Sequence, residues 1–205
     1  MFITKEVLKE KGACSEGIKV FNDAFPDGGE YQDILDKCAD IGRPDFAEWL
    51  LREIGSTDSI LELESFEGKS LFFAGEVLVK GGLKVEFSIK AGRGIKAGDG
   101  IKAGDGIEAG CGIEAGCGIK AGDGIKAGCG IEAGDGIEAG WGIEAGWGIK
   151  AGLSISAKTI WCRLRIFAGI ISCRIPNEEE MSIRGEVKSG LVAHGVVIDE
   201  RDAEE

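Results

Sequence analysis

The chain has 205 residues, 36 Asp/Glu against 24 Lys/Arg, a net charge of −12, 35 glycines and one histidine. That acidity argues against a direct grip on nucleic-acid phosphates, and no apolar run approaches the roughly 20 residues of a membrane-spanning helix. The length suits one or two small domains.

Positions 1–55 read as a small helical domain. Thr4 is placed to cap a short helix carrying Val7 and Leu8 and ended by Gly12. Ser15 is placed to cap a second, with Ile18, Val20, Phe21 and Phe25 on its apolar side, stopped by Pro26-Asp27-Gly28-Gly29. Tyr31, Ile34, Leu35, Cys38 and Ile41 recur at helical spacing in a third. Pro44 suits the first position of a fourth, which continues through Phe46, Trp49, Leu50 and Ile54 to Gly55. Short connections imply a compact bundle.

From Ile60 the period becomes that of strands, and residues 56–88 read as the irregular start and N-terminal cap of a repeat array. The register of that array is already present in Leu71, Val77 and Leu83. From Ile89 to Ile155 an isoleucine recurs at every sixth residue in the pattern Ile-(Lys/Glu)-Ala-Gly-x-Gly, which sets the array over 89–158. A helix is excluded, because the 21 glycines of residues 89–158 oppose it by roughly 20 kcal/mol. Collagen needs Gly at every third residue, and a flexible linker needs no invariant Ile. A short strand and a corner fit: Ile and Ala point in, Lys or Glu points out, and Gly-x-Gly turns, through the tolerance of Gly for positive φ. One hexad cannot bury its own Ile, so only a stack is stable. The expected fold is therefore α+β, a small N-terminal helical bundle followed by a single-stranded β-solenoid (β-helix) of six-residue repeats.

Two-hexad (12-residue) and three-hexad (18-residue) coils both fit. Opposite charges stacked on adjacent coils are favourable, and the outward slots from Lys90 to Lys150 give mostly opposite pairs under either spacing. Residues 159–205 read as a β-rich C-terminal cap, with Ile160, Trp161, Leu164, Ile166, Phe167 and Ile170 closing the end. A strand pair is expected over 181–199, around Gly185 and Ser189-Gly190, followed by a frayed acidic tail. Charge is uneven: 1–88 carries −8, 89–158 carries −1 and 159–205 carries −3.

The array resembles the hexapeptide-repeat, left-handed β-helix family, whose coils hold three hexads. The family's small residue two before the aliphatic one is replaced here by Arg93, Asp99, Asp105, Cys111, Cys117, Asp123, Cys129, Asp135, Trp141 and Trp147. Its acyltransferases use a histidine beside the solenoid, and no hexad holds one, so the resemblance implies the fold and not the activity. Cys14-Ser15-Glu16-Gly17 with Phe21, Arg43-Pro44-Asp45, Trp49, the array, and Arg165-Ile166-Phe167-Ala168-Gly169 together resemble proteins of bacteriophages and prophages. That likeness implies a phage or mobile-element context and no activity.

Catalytic and cofactor signals are lacking. His194 has no nucleophile motif nearby and reads as a structural or surface residue. Gly-x-Gly-x-x-x-Gly matches neither the dinucleotide fingerprint nor the P-loop. The seven cysteines form no Cys-x-x-Cys. Their odd number, with no signal peptide at the start, fits reduced thiols in a cytoplasm. In the array they read as small packing residues. Cys111 stacks on Cys129 in three-hexad coils, and Cys117 stacks on Cys129 in two-hexad ones. Trp141, Trp147 and then Leu153 occupy a slot that elsewhere holds Asp and Arg. They form either an exposed partner surface or packing for the C-terminal cap.

The expectation is a non-enzymatic structural or protein-interaction protein, a phage or prophage accessory factor. It has an unknown protein partner, homo-oligomers are allowed, and it uses no cofactor, metal, nucleic acid or membrane. Two alternatives are an acidic DNA mimic that inhibits a nucleic-acid enzyme and a hexapeptide-class acyltransferase.

Overall fold

A computed structural model describes residues 1–172 and 174–198. Four helices open the chain: α1 (Lys5–Glu10), α2 (Ser15–Ala24), α3 (Tyr31–Asp40) and α4 (Pro44–Glu53). Gly12 and Gly55 follow their helices with φ of +80° and +95°, in the left-handed region that ends a helix. Capping differs from expectation. Ser15 is the first residue of α2, and Cys14 is its cap, with Sγ accepting from the Gly17 amide at 3.4 Å. Thr4 stands at the N-cap of α1 but makes no side-chain cap bond. Phe2–Ile3 pairs antiparallel with Gly29–Glu30, a bridge the sequence did not announce.

The helices share their core with the solenoid. Ile3, Leu8, Phe21, Tyr31, Ile34, Leu35, Cys38, Ala47 and Leu50 pack with Phe72 and Ala74 of the first coil. Gln32 of α3 joins the two parts by hydrogen bonds. Its Nε2 donates to the Phe72 carbonyl at 2.8 Å and its Oε1 accepts from the Ala74 amide at 3.3 Å. One side chain thus serves as neighbouring strand to an otherwise open edge. Burial, with Asp45 next, pushes the Cys38 thiol up to about 12, so it stays protonated inside the bundle.

Short parallel strands run from Ile60, and each pairs with the strand three hexads further on where the repeat is regular: Ile101 lies against Ile119, Ile107 against Ile125, and Ile113 against Ile131. Three hexads therefore make one coil, and the two-hexad alternative is excluded. The early register holds as well, with Leu71 against Ile89, Val77 against Ile95 and Leu83 against Ile101. About eight turns stack. Every Ile from Ile89 to Ile155 is at most 1% exposed, and every Ala from Ala91 to Ala151 at most 5%. Each Ile buried contributes about 1.5–3 kcal/mol, which no isolated hexad could obtain.

The glycines serve a purpose other than the one expected. None in the array has positive φ. The first Gly of each hexad lies against the coil beneath: a Cβ at Gly122 would fall 1.8 Å from the Gly104 carbonyl oxygen, and one at Gly110 would fall 2.2 Å from that of Gly92. Coils stacked at strand spacing leave no room there for a methyl group. The second Gly is freer, since a Cβ at Gly124 meets its nearest atom at 3.4 Å.

Three outward ladders result. One runs Glu67, Lys84, Lys102, Lys120, Glu138; another Lys90, Glu108, Lys126, Glu144; the third Lys96, Glu114, Glu132, Lys150. Ion pairs span neighbouring coils, as in Lys90–Glu108 at 2.7 Å, Lys96–Glu114 at 2.9 Å and Lys120–Glu138 at 2.7 Å. Lys90 also reaches Glu48 of α4 at 3.0 Å, tying the helices to the second ladder.

Beyond the regular hexads, Ile155–Phe167 is one continuous strand that pairs in turn with the strands at 137, 143 and 149. The expected strand pair over 181–199 is instead a further coil. Ser182–His194 runs parallel to Ile155–Phe167, and Val196–Ile198 lies parallel on Ser182–Arg184. Asp199 and the expected acidic tail fall outside the described residues. No helix of the described chain is long and apolar enough to cross a membrane.

Candidate functional site: a tryptophan-edged face

The variable slot forms three corners, each stacked coil on coil through backbone hydrogen bonds. Asp105, Asp123, Trp141 and Thr159 follow one another along one corner; Arg93, Cys111, Cys129, Trp147 and Leu164 along the next; Asp99, Cys117, Asp135 and Leu153 along the third. Trp141, Trp147 and Leu153 therefore stand on three different edges, not in one continuous zone. Trp141 and Trp147 bound the same face, with the strand Gly142–Ala145 between them. They are 62% and 60% exposed, so they do not pack beneath the C-terminal cap. Leu153 is half-buried on the far edge.

A third tryptophan completes this face. Trp161 lies beside Glu144 on the next coil, at the outward position between the two edges, and is partly exposed. The sequence hid this because the coil is one position short there: Ile143 pairs with Ile160, where a full three-hexad coil would set it against Trp161. Lys158 sits over the Trp141 ring with Nζ 3.7 Å from the centroid, a cation–π contact of about 0.5–1 kcal/mol at an exposed site. Leu164, 60% exposed, follows Trp147 on its corner and donates its amide to the Trp147 carbonyl at 2.9 Å. Indole carries large contact area at low entropic cost, so this end of the face is suited to burying a partner's surface.

Grooves alone mark no site. One of about 530 Å³ runs along this face from Lys90 to Trp161, and others of about 870 and 380 Å³ run along the remaining two faces. They arise wherever the outward ladder stands proud of the glycine corners. A further apolar hollow of about 300 Å³ lies among the helices, lined by Phe21, Phe25, Phe46 and Trp49.

The remaining singled-out residues are placed as follows. His194 is exposed, with Nδ1 2.6 Å from the Ala168 carbonyl, to which it donates. Cys111 stacks with Cys129, whereas Cys117 lies between Asp99 and Asp135. Among the described residues no cluster of three or more His, Cys, Asp or Glu is placed to hold a metal ion.

Residues 1–56 match the family described as the YdhT N-terminal domain. The match spans the four helices and stops before the first solenoid strand. No curated protein and no solved structure shows significant similarity to the chain.

Proposed function

We propose that this chain is a non-catalytic protein-interaction scaffold in which a rigid solenoid presents the face edged by Trp141 and Trp147. The carrying observation is the exposure of both indoles at the borders of one face, with Trp161 between them. The charged ladders satisfy themselves from coil to coil, so they offer a partner little that is unpaired. Surface ion pairs of this kind are worth about 0–1 kcal/mol each. Coils of three hexads accord with a hexapeptide-repeat solenoid, and we retain a phage or prophage accessory role as the context of this reading.

The test is capture of partners from the native cell with the tagged chain, beside a Trp141→Ala/Trp147→Ala variant whose circular dichroism matches the original. The scaffold reading predicts a specific bound protein that the variant loses by at least about tenfold, since two hot-spot tryptophans contribute about 2 kcal/mol or more each. Equal retention by the variant removes the tryptophan face from the reading. Capture of a nucleic-acid enzyme through the acidic residues of 1–55, unaffected by the variant, would favour the DNA-mimic alternative instead.

A further inference from the structure

We infer that Cys111 and Cys129 form a thiol pair that closes reversibly to a disulfide between two successive coils. The three-hexad stacking puts them on one corner as immediate neighbours, and the Cys129 amide donates to the Cys111 carbonyl at 3.0 Å. The flanking strands are in register, with Ile113 against Ile131. Adjacent strands lie about 4.7–4.9 Å apart, inside the Cα separation of about 4.4–6.8 Å that a disulfide spans. Cys111 is exposed and Cys129 half-buried, so a small oxidant reaches the pair.

The other described cysteines lack this arrangement. Cys117 is exposed but lies between Asp99 and Asp135 on its corner. Cys14 is exposed at the start of α2, and Cys38 and Cys162 are buried.

The chemistry is exchange with a low-molecular-weight disulfide such as glutathione disulfide. Burial and the neighbouring Cys111 raise the Cys129 thiol above its ordinary range, so the exposed Cys111 reacts first. Its thiolate attacks one sulfur of the oxidant, the S–S bond breaks, and one glutathione thiolate leaves. Cys129 then loses its proton and attacks the Cys111 sulfur, expelling the second glutathione. The protein thiols give up two electrons and two protons, and the oxidant becomes two thiols. The new bond lies one coil below Trp147, whose amide donates to the Cys129 carbonyl at 3.1 Å. Oxidation therefore fastens the corner that carries one edge of the tryptophan face.

The full chain is equilibrated with glutathione disulfide, the remaining thiols are alkylated, and the product is digested with trypsin without reduction. The segment 103–120 is expected to be joined to 127–150. Because 103–120 holds both Cys111 and Cys117, the assignment rests on variants: the link persists in Cys117→Ser and is absent in Cys111→Ser and Cys129→Ser. The oxidised chain also melts higher than the reduced one, as expected for a closed loop, and the same treatment leaves the melting of Cys111→Ser unchanged. A link that survives in Cys111→Ser overturns the inference. So do separate glutathione adducts on Cys111 and Cys129 with no link between the segments.

Discussion

The array's hexads hold two glycines of unequal standing, and a single methyl group separates them. A Cβ at Gly122 is forced against the Gly104 carbonyl oxygen, while one at Gly124 finds 3.4 Å of space. Gly122→Ala is expected to lower unfolding stability by about 1–3 kcal/mol through overpacking, and Gly124→Ala to change it by less than about 0.5 kcal/mol. Denaturant melts of the two variants decide the matter, and equal effects would contradict the stacking account. Lys90 gives a second residue-scale test. Burial draws its pKa down, but Glu108 and Glu48 more than offset this, and the folded value lies above the ordinary lysine value. Its contribution is therefore fully present below the unfolded pKa of about 10.4 and is lost as pH rises through the folded value. The stability gap between the parent chain and Lys90→Gln should be wide at about pH 8 and narrow as pH rises through the raised folded value. A gap that widens with alkali would mean the ion pairs are not what holds Lys90.

At the scale of elements, the solenoid's exposed features are its ladders and its ends. Lys102 sits between Lys84 and Lys120 and makes no ion pair among the described residues. Lys102→Glu restores alternation on both sides and should stabilise the chain by a few tenths to about 1 kcal/mol, read as a higher denaturant midpoint. At the N-terminal end, α3 covers a strand edge through Gln32. Gln32→Ala leaves the buried Phe72 carbonyl and Ala74 amide without that partner, at a cost of about 1–3 kcal/mol. Faster hydrogen exchange at Ala74, with Ile119 unchanged, would show that the loss is local. Strand type and inward face were legible from the isoleucine period alone, because only a stacked strand explains an aliphatic residue that never misses. Coil size was not, because opposite charges recur at both the two-hexad and the three-hexad spacing. The role of the first glycine was also hidden, since it depends on a carbonyl in the coil beneath. The α3 cap was hidden too: nothing in the sequence near Gln32 announces a strand edge at Phe72 and Ala74.

The whole molecule is a rod with a helical domain at one end and an aromatic zone near the other. Stability in such arrays is close to a sum over coils and their contacts, so a change of recognition near Trp141 need not disturb the helices. The candidate site was half legible. Trp141 and Trp147 stood out because indole replaced Asp and Arg in a corner slot, but Trp161 joined them only when the shortened coil brought it beside Glu144. The measurement closest to the central claim is hydrogen exchange on the complex with a captured partner. Slowed exchange or side-chain protection confined to 139–165 is the predicted result. Protection confined to residues 1–56, or spread along the Lys/Glu ladders with the tryptophan corners unaffected, would contradict it.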